Sequence, residues 1–254
     1  MKAISKRGSI IIGLVTILSV STPLCAQDKV EASLGVDLVN QYIWRGQDLG
    51  NVSLQPTLGA SWKGLSLSAW GSVGFDKDDT KELDLTLSYS TKGFTFGVTD
   101  YWFSDGSYFQ YKAHKTTHIW EGYIGYDFGF LSATWYTNFA GDDGKNNSLK
   151  RAYSSYIELV APFSLAGLDW EGSVGIVPWA TTTYGTTGFA CTNVGLKATK
   201  DFLIKEKDHL PVFVGLNALN ECEKAVLRRM RDAGLAEFCW DFVSAAVRDP
   251  RNRS

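Results

Sequence analysis

The chain has 254 residues, a formal net charge of −2 and 44% hydrophobic residues. Its mild acidity argues against nucleic acid as a partner. The four cysteines show no metal-ligand spacing and three of them follow residue 26, so neither a disulfide framework nor a zinc site is indicated, and we expect no cofactor. Frequent glycine, Ser, Thr and aromatic residues with only six prolines suit an all-β protein of one domain.

The first segment, residues 1–26, is typical of a secretory signal peptide. A basic start precedes an apolar stretch over residues 10–18, which is too short to span a membrane, and a cleavage site follows Ala26. A lipoprotein acylated at Cys25 is the alternative, but Leu24 is a poor match to the small residue expected before such a cysteine. The sequence therefore predicts an exported protein.

From residue 30 onward, apolar and polar residues alternate along the chain, which predicts β-strands with one face of each kind. The hairpin of residues 81–98 shows the pattern clearly, with leucines and phenylalanines alternating with polar residues on both sides of a turn at residues 91–93. The eleven predicted strands cover residues 30–45, 52–62, 65–75, the hairpin 81–98, and residues 117–128, 131–139, 151–161, 168–178, 188–199 and 209–218.

The predicted connections alternate between tight and long. Residues 63–64, 91–93 and 129–130 form tight turns, and residues 45–51, 104–115 and 141–150 form longer polar loops. Residues 200–208 are longer than the pattern expects. A meander with turns on one rim and loops on the other is the layout of an outer-membrane barrel.

Alternation alone does not decide whether the apolar face packs inside a soluble β protein or faces lipid. The opposite face is mostly small or hydroxylated, whereas a soluble outer face would carry more Lys and Glu. Aromatic residues also gather near strand ends, as in the aromatic girdles of membrane barrels. They are Tyr42, Trp44, Trp62, Phe75, Tyr89, Phe94, Trp102, Phe128, Phe139 and Trp179. Both features favour lipid and an outer-membrane location.

Residues 42–76 contain a recognisable set of residues, namely Tyr42, Arg45, Gly46, Pro56, Trp70, Gly71 and Ser72. With this set the segment resembles the start of the TorF-like porin family of Bacteroidota outer-membrane β-barrels. The resemblance extends over roughly residues 30–216. It implies a porin-like protein for passive passage of small solutes, with outer-membrane lipid and the barrel-assembly machinery as partners.

The predicted fold is an up-and-down antiparallel barrel of twelve strands, of which residues 27–220 supply about eleven. A meander barrel needs an even number, because an odd one leaves unpaired edges that cannot face lipid. Residues 221–254 lose the alternation and contain six arginines, against three before them, and residues 225–235 read as a short helix. We interpret this tail as the product of a frameshift that replaced the last strand. A partner-binding periplasmic tail and a segment forced into a strand are the alternatives.

Charged residues on the polar faces are candidates to line the lumen. They are Asp37, Arg45, Glu82, Asp84, Glu121, Glu158 and Glu171, with Asp127, Asp169 and Lys197 beside them. Acid predominates, and an acidic ring favours cations. Arg45 is expected either to pair with an acidic wall residue or to fix the rim turn with Gly46. A twelve-strand lumen is narrow, which predicts slow or selective permeation.

Other functions are less well supported by the sequence. No nucleophile motif such as Gly-x-Ser-x-Gly is visible, so no enzymatic activity is expected, and His114 and His118 are predicted to be a solvated loop pair. Three alternatives stay open: a non-conducting barrel filled by residues such as Trp70, Tyr101 and Tyr136, a lipid-acting barrel enzyme, and a soluble secreted carbohydrate-binding β protein. The solute and the oligomeric state are not predicted.

Overall fold

The computed structural model describes residues 30–219 except 78, 80, 105, 206 and 207. This part of the chain is all-β and contains no helix, and therefore none long and apolar enough to cross a membrane. The predicted signal peptide and the tail of residues 221–254 lie outside it. The strands are β1 (Glu31–Val39), β2 (Tyr42–Trp44), β3 (Gln47–Gly50), β4 (Ser53–Trp62), β5 (Leu65–Gly74), β6 (Lys81–Thr91), β7 (Phe94–Trp102), β8 (His118–Asp127), β9 (Ser132–Gly141), β10 (Ser155–Leu165), β11 (Leu168–Val177), β12 (Ala190–Lys205) and β13 (Asp208–Leu219).

Eleven of these strands form one antiparallel up-and-down sheet in the order β1-β4-β5-β6-β7-β8-β9-β10-β11-β12-β13, while β2 and β3 pair only with each other. The predicted alternation of connections is confirmed. We call the end with two- to four-residue connections the turn end and the opposite one the loop end. Lys63 and Gly64 have φ values of 49° and 88°, as in the type I′ turns that suit the twist of a hairpin.

Several predicted strand boundaries are wrong. β1 stops at Val39, because the chain bends before Tyr42 and starts a separate hairpin. β10 lies four residues later than predicted and includes Pro162, which is tolerated because β9 pairs with β10 only as far as Val160. β12 continues to Lys205, so the connection expected to be long is only two residues.

The apolar face of the sheet is the exposed one over β4, β5 and β6. Leu58, Leu67 and Leu87 lie on neighbouring strands and are 59%, 57% and 51% exposed. On the polar face Ser72 and Glu121 are 0% and 1% exposed. This is the reverse of a soluble sheet, in which the apolar side is covered.

The sheet curls around its polar face, and the small core of the molecule lies on that side. Tyr156 of β10, Val177 at the end of β11 and Tyr184 of the following loop are buried together, with Trp44 of β2 and Tyr136 of β9 packed against them. The polar face is therefore the inner face, and the hairpin β2–β3 lies against it near the loop end.

Two parts of the outer face are buried. Val174 and Val194 face each other across β11 and β12 and are 8% and 2% exposed. Near the loop end of β7 and β8, the ring of Tyr111 from the connection of residues 103–117 lies 4.3 Å from that of His118. The outer face is thus continuous and exposed over β4–β6 but not everywhere.

Within the described residues the sheet does not close. Its edge strands β1 and β13 are the first and the eleventh in an antiparallel order, so they run in the same direction and are not neighbours in the sheet. Both edges border a cavity of about 190 Å³. Its lining includes Val39, Gln41, Gln55, Phe213, Gly215 and Asn217.

Candidate functional site

The hairpin β2–β3 brings aromatic side chains onto the inner face. The prediction that Tyr42 and Trp44 continue the lipid-facing row of β1 is wrong, since the bend after Val39 turns both inward. Tyr42 is 8% exposed, its hydroxyl donates to Glu82 Oε2 at 2.9 Å, and its ring lies 5.5 Å from that of Trp70. A buried phenol needs such a partner, and the inner face supplies one.

Arg45, at the tip of this hairpin, is the centre of the site. Its Nη1 and Nη2 donate to the two oxygens of Glu121 at 2.6 and 2.8 Å, and Nη1 also donates to the Tyr184 hydroxyl at 2.8 Å. Tyr101 donates to Glu121 Oε1 at 2.9 Å. The side chains of Arg45 and Glu121 are 7% and 1% exposed. This is a buried bidentate ion pair, the strongest and most directional form of the interaction.

Aromatic rings surround the same guanidinium group. Its central carbon lies 4.1 Å from the centre of the Tyr136 ring, 4.5 Å from Trp44 and 4.9 Å from Tyr156. A cation that is desolvated against ring faces gains electrostatic attraction from them. The contacts of Arg45 come from β2, β8, β9, β10 and the 178–189 loop, so one side chain ties together distant parts of the sheet.

The local backbone explains why glycine follows this arginine. Arg45 and Gly46 have φ values of 49° and 80° and form the two-residue turn between Trp44 and Gln47. A Cβ at Gly46 would also collide with the backbone carbonyl of Thr192. Both sequence-based readings of Arg45 hold in the structure: it pairs with an acidic wall residue, and it shapes the turn with Gly46.

Burial changes the acidity of the hairpin and loop groups. It raises the pKa of Tyr184 to about 12, so this hydroxyl stays protonated near neutral pH. Burial, followed by the charge of Glu82, also raises the pKa of Tyr42. Burial alone would lower the pKa of Arg45, but Tyr184 and Glu121 outweigh it and raise that pKa well above its usual range. The site therefore holds a permanent cation against a carboxylate and neutral phenols.

The other predicted lumen residues lie at different depths. Glu82 is 5% exposed, and Asp84 lies two residues further along the same face of β6. Asp37 of β1 stands opposite Gln55, and Glu158 of β10 stands opposite Thr134. Within the described part of the chain, neither Asp37 nor Glu158 forms a hydrogen bond or ion pair with Arg45.

Glu171 forms a separate ion pair toward the turn end. It accepts from Lys197 Nζ at 2.7 Å, and both side chains are 46% exposed. The inner face therefore carries a buried cluster near the loop end and a hydrated charge pair near the turn end.

The structure brings only some of the family-motif residues together. Tyr42, Arg45, Gly46 and Trp70 all belong to the hairpin or to the wall that it contacts. Gly71 alternates with Trp70, stands opposite Leu83 on the outward side of β5, and takes no part in the cluster.

Sequence reasoning missed a second buried pair. His118 is not a solvated loop residue: it begins β8, is 0% exposed, and its Nδ1 lies 2.7 Å from Asp100 Oδ1. Its Nε2 lies 2.6 Å from the backbone oxygen of Tyr108, so the histidine joins the 103–117 loop to the sheet. The available signal was Asp100 itself, an acidic residue in the apolar row that includes Phe96 and Val98.

Comparison of the chain with protein-family models, with curated proteins and with solved structures finds no match. The likeness of residues 42–76 to the TorF-like porin family thus rests on those residues alone and stays a prediction.

Proposed function

We propose that this chain is a porin-like outer-membrane β-barrel that lets small solutes cross passively. The observation that carries the proposal is the reversed polarity of the sheet: wide apolar rows are exposed over β4–β6, while Ser, Tyr and charged residues are buried on the concave side. Large contiguous apolar surfaces mark contact with a membrane or a partner. In outer-membrane barrels the outward face is apolar and the interior is polar.

The position of aromatic residues supports lipid as the covering phase. Trp62, Tyr89 and Phe94 at the turn end are 47%, 46% and 43% exposed, and Phe75 and Phe139 toward the loop end are 67% and 48% exposed. Two exposed aromatic belts at opposite ends of an apolar surface are what a bilayer with two interfaces requires. The polar turns and loops beyond them would lie in water.

A closed barrel needs one more strand. Because β1 and β13 run in the same direction, the strand between them must run antiparallel to both, which gives the twelve strands predicted from the sequence. Without it, the unpaired backbone N–H and C=O groups at the two edges would face hydrocarbon, which costs on the order of several kcal/mol for each group. The barrel-assembly machinery and outer-membrane lipid are the partners that this fold implies.

The solute path would be narrow and acidic. The hairpin β2–β3 fills the inner face near the loop end, so passage requires that it move or that a small gap remain beside it. Glu82, Asp84 and Glu158 line the surrounding wall with carboxyl groups. Slow, selective permeation fits this arrangement better than a wide channel.

A non-conducting structural barrel is the second candidate, and the buried Arg45–Glu121 pair is the observation that favours it. A permanently fixed hairpin would stop solutes while it stabilises the barrel. Conductance separates the two functions: passage of ions through the wild-type protein or through a variant with a weakened hairpin supports the porin, and none through either supports the structural barrel.

The first experiment is heat-modifiability on a gel. The chain is compared with a version in which the residues after Leu219 are replaced by a turn and a strand that ends in an aromatic residue. Closed barrels resist SDS until boiled and then change mobility. We expect the replaced version to shift and to be recovered in the outer-membrane fraction.

The other outcomes are equally informative. If both versions shift, the natural tail already allows closure, and planar-bilayer conductance follows directly. If both stay soluble without detergent, the apolar rows are not covered by lipid and the proposal fails.

A further inference from the structure

The guanidinium group of Arg45 is bound mainly by side chains that lie outside its own hairpin. Its carboxylate partner, Glu121, and two of its ring partners, Tyr136 and Tyr156, lie on the sheet, and Tyr184 lies on a loop that follows β11. Among the described residues of the hairpin, Trp44 alone adds to this arrangement. The groups that bind the guanidinium therefore lie mainly on the sheet and the 178–189 loop, and Arg45 itself is supplied by the hairpin. We call Glu121, Tyr136, Tyr156 and Tyr184 the cation cage.

We propose that the cation cage binds a free guanidinium-type organic cation, and that Arg45 is a tethered occupant which such a solute displaces. The inference rests on the proposed function and names the class of solute for it. A planar guanidinium group satisfies both oxygens of Glu121 and stacks on ring faces, which a compact ammonium group does only in part.

The hairpin is attached in a way that permits displacement. β2 and β3 pair with each other and are not part of the eleven-stranded sheet, so their removal from the lumen breaks no ladder of the wall. The side-chain contacts that hold the hairpin include those of Trp44 and Arg45 with the cage and the bond from Tyr42 to Glu82. Ring contacts of Tyr42 with Trp70 and of Trp44 with Tyr101 add to them. A solute that occupies the cage would replace the charge pair and ring contacts that Arg45 gives up.

The experiment is chemical rescue of the full chain in detergent. Arg45→Ala leaves Glu121 buried without its cation, so the variant should unfold at a lower temperature than the wild-type protein. Guanidinium chloride at low millimolar concentration, far below denaturing levels, is the probe. We expect a saturable rise of a few degrees in the Tm of Arg45→Ala, as mass action requires when a ligand binds only the folded state.

Matched controls separate binding in the cage from general effects. Urea has the same planar shape without charge and should give no rise, and sodium chloride at equal ionic strength should give none. Arg151→Ala removes an arginine that lies over Tyr153 outside the cage, and its Tm should rise far less with guanidinium, because the solute must first displace Arg45. Arg45→Ala combined with Glu121→Gln should lose the rescue. An equal response of Arg45→Ala and Arg151→Ala would overturn the inference.

A second variant guards against a failure to fold. Arg45→Lys keeps a cation at the hairpin tip but cannot make both bonds to Glu121, so guanidinium should still raise its Tm, at higher concentration. If Arg45→Ala does not fold and Arg45→Lys shows no rise, the inference fails.

The test separates this inference from the proposed function. Binding without conductance in Arg45→Ala would keep the cage and reject solute passage. Conductance without guanidinium binding would keep the porin and reject the cage.

Discussion

The two ends of the inner face are built from the same alternating pattern, but near the loop end the hairpin β2–β3 and the loop residue Tyr184 cover it. Near the loop end the hairpin covers Glu82 and Glu121, which are 5% and 1% exposed. Toward the turn end no described residue covers Glu171 and Lys197 in a comparable way, and this ion pair of similar length is 46% exposed on both sides. Alternation thus decides which side chains point inward, and the hairpin decides whether they meet water.

The largest difference in stability between the two ends is expected when one carboxylate is neutralised at each end of the inner face. Glu121→Gln leaves the buried Arg45 cation without its counter-charge, and such a loss costs about 3–5 kcal/mol. Glu171→Gln breaks an exposed pair and should cost about 0–1 kcal/mol. Urea unfolding of both variants in detergent measures the difference. Equal losses would mean that the loop-end pair is as hydrated as the other one.

The hairpin can also be disturbed through its backbone. Gly46→Ala places a Cβ at φ 80° and against the Thr192 carbonyl. A left-handed backbone costs about 1–2 kcal/mol for a non-glycine residue, and overpacking adds about 1–3 kcal/mol. The free energy of unfolding should fall accordingly.

Gly35→Ala is the matched control, because a Cβ at Gly35 in β1 would meet nothing within 4 Å. We expect a change within about 0.5 kcal/mol there. If Gly46→Ala is equally harmless, the hairpin does not lie where the structure places it.

The same contrast explains what could be foreseen from the sequence. Strand positions and faces followed from alternation, because a period of two is imposed by the pleat itself. Arg45 was recognised as an inward candidate, and Glu121 was among the predicted wall charges. Their pairing could not be foreseen, since they are separated by 76 residues and meet only through the curl of the sheet and the bend after Val39.

Tyr42 and His118 show where pattern reading fails. Continuing the alternation of β1 through residues 40–41 put Tyr42 on the lipid side, whereas the bend turns its hydroxyl toward Glu82. His118 looked like a loop residue because its partners, Asp100 and the Tyr108 carbonyl, lie on another strand and on a loop. In both cases a buried polar group found its partner through tertiary structure, which a single-strand pattern does not contain.

The smallest expected effect tests one hydrogen bond of the hairpin. Tyr42→Phe keeps the ring against Trp70 but removes the hydroxyl that donates to Glu82 Oε2. Leaving a buried acceptor unsatisfied costs about 1–3 kcal/mol. Tyr89→Phe is the control: Tyr89 lies on the same strand β6 near the turn end, faces outward and is 46% exposed, so its change should be near zero. Urea unfolding in detergent compares the pair, and a loss in Tyr89→Phe as large as in Tyr42→Phe would place the stabilising contacts on the outer face instead of under the hairpin.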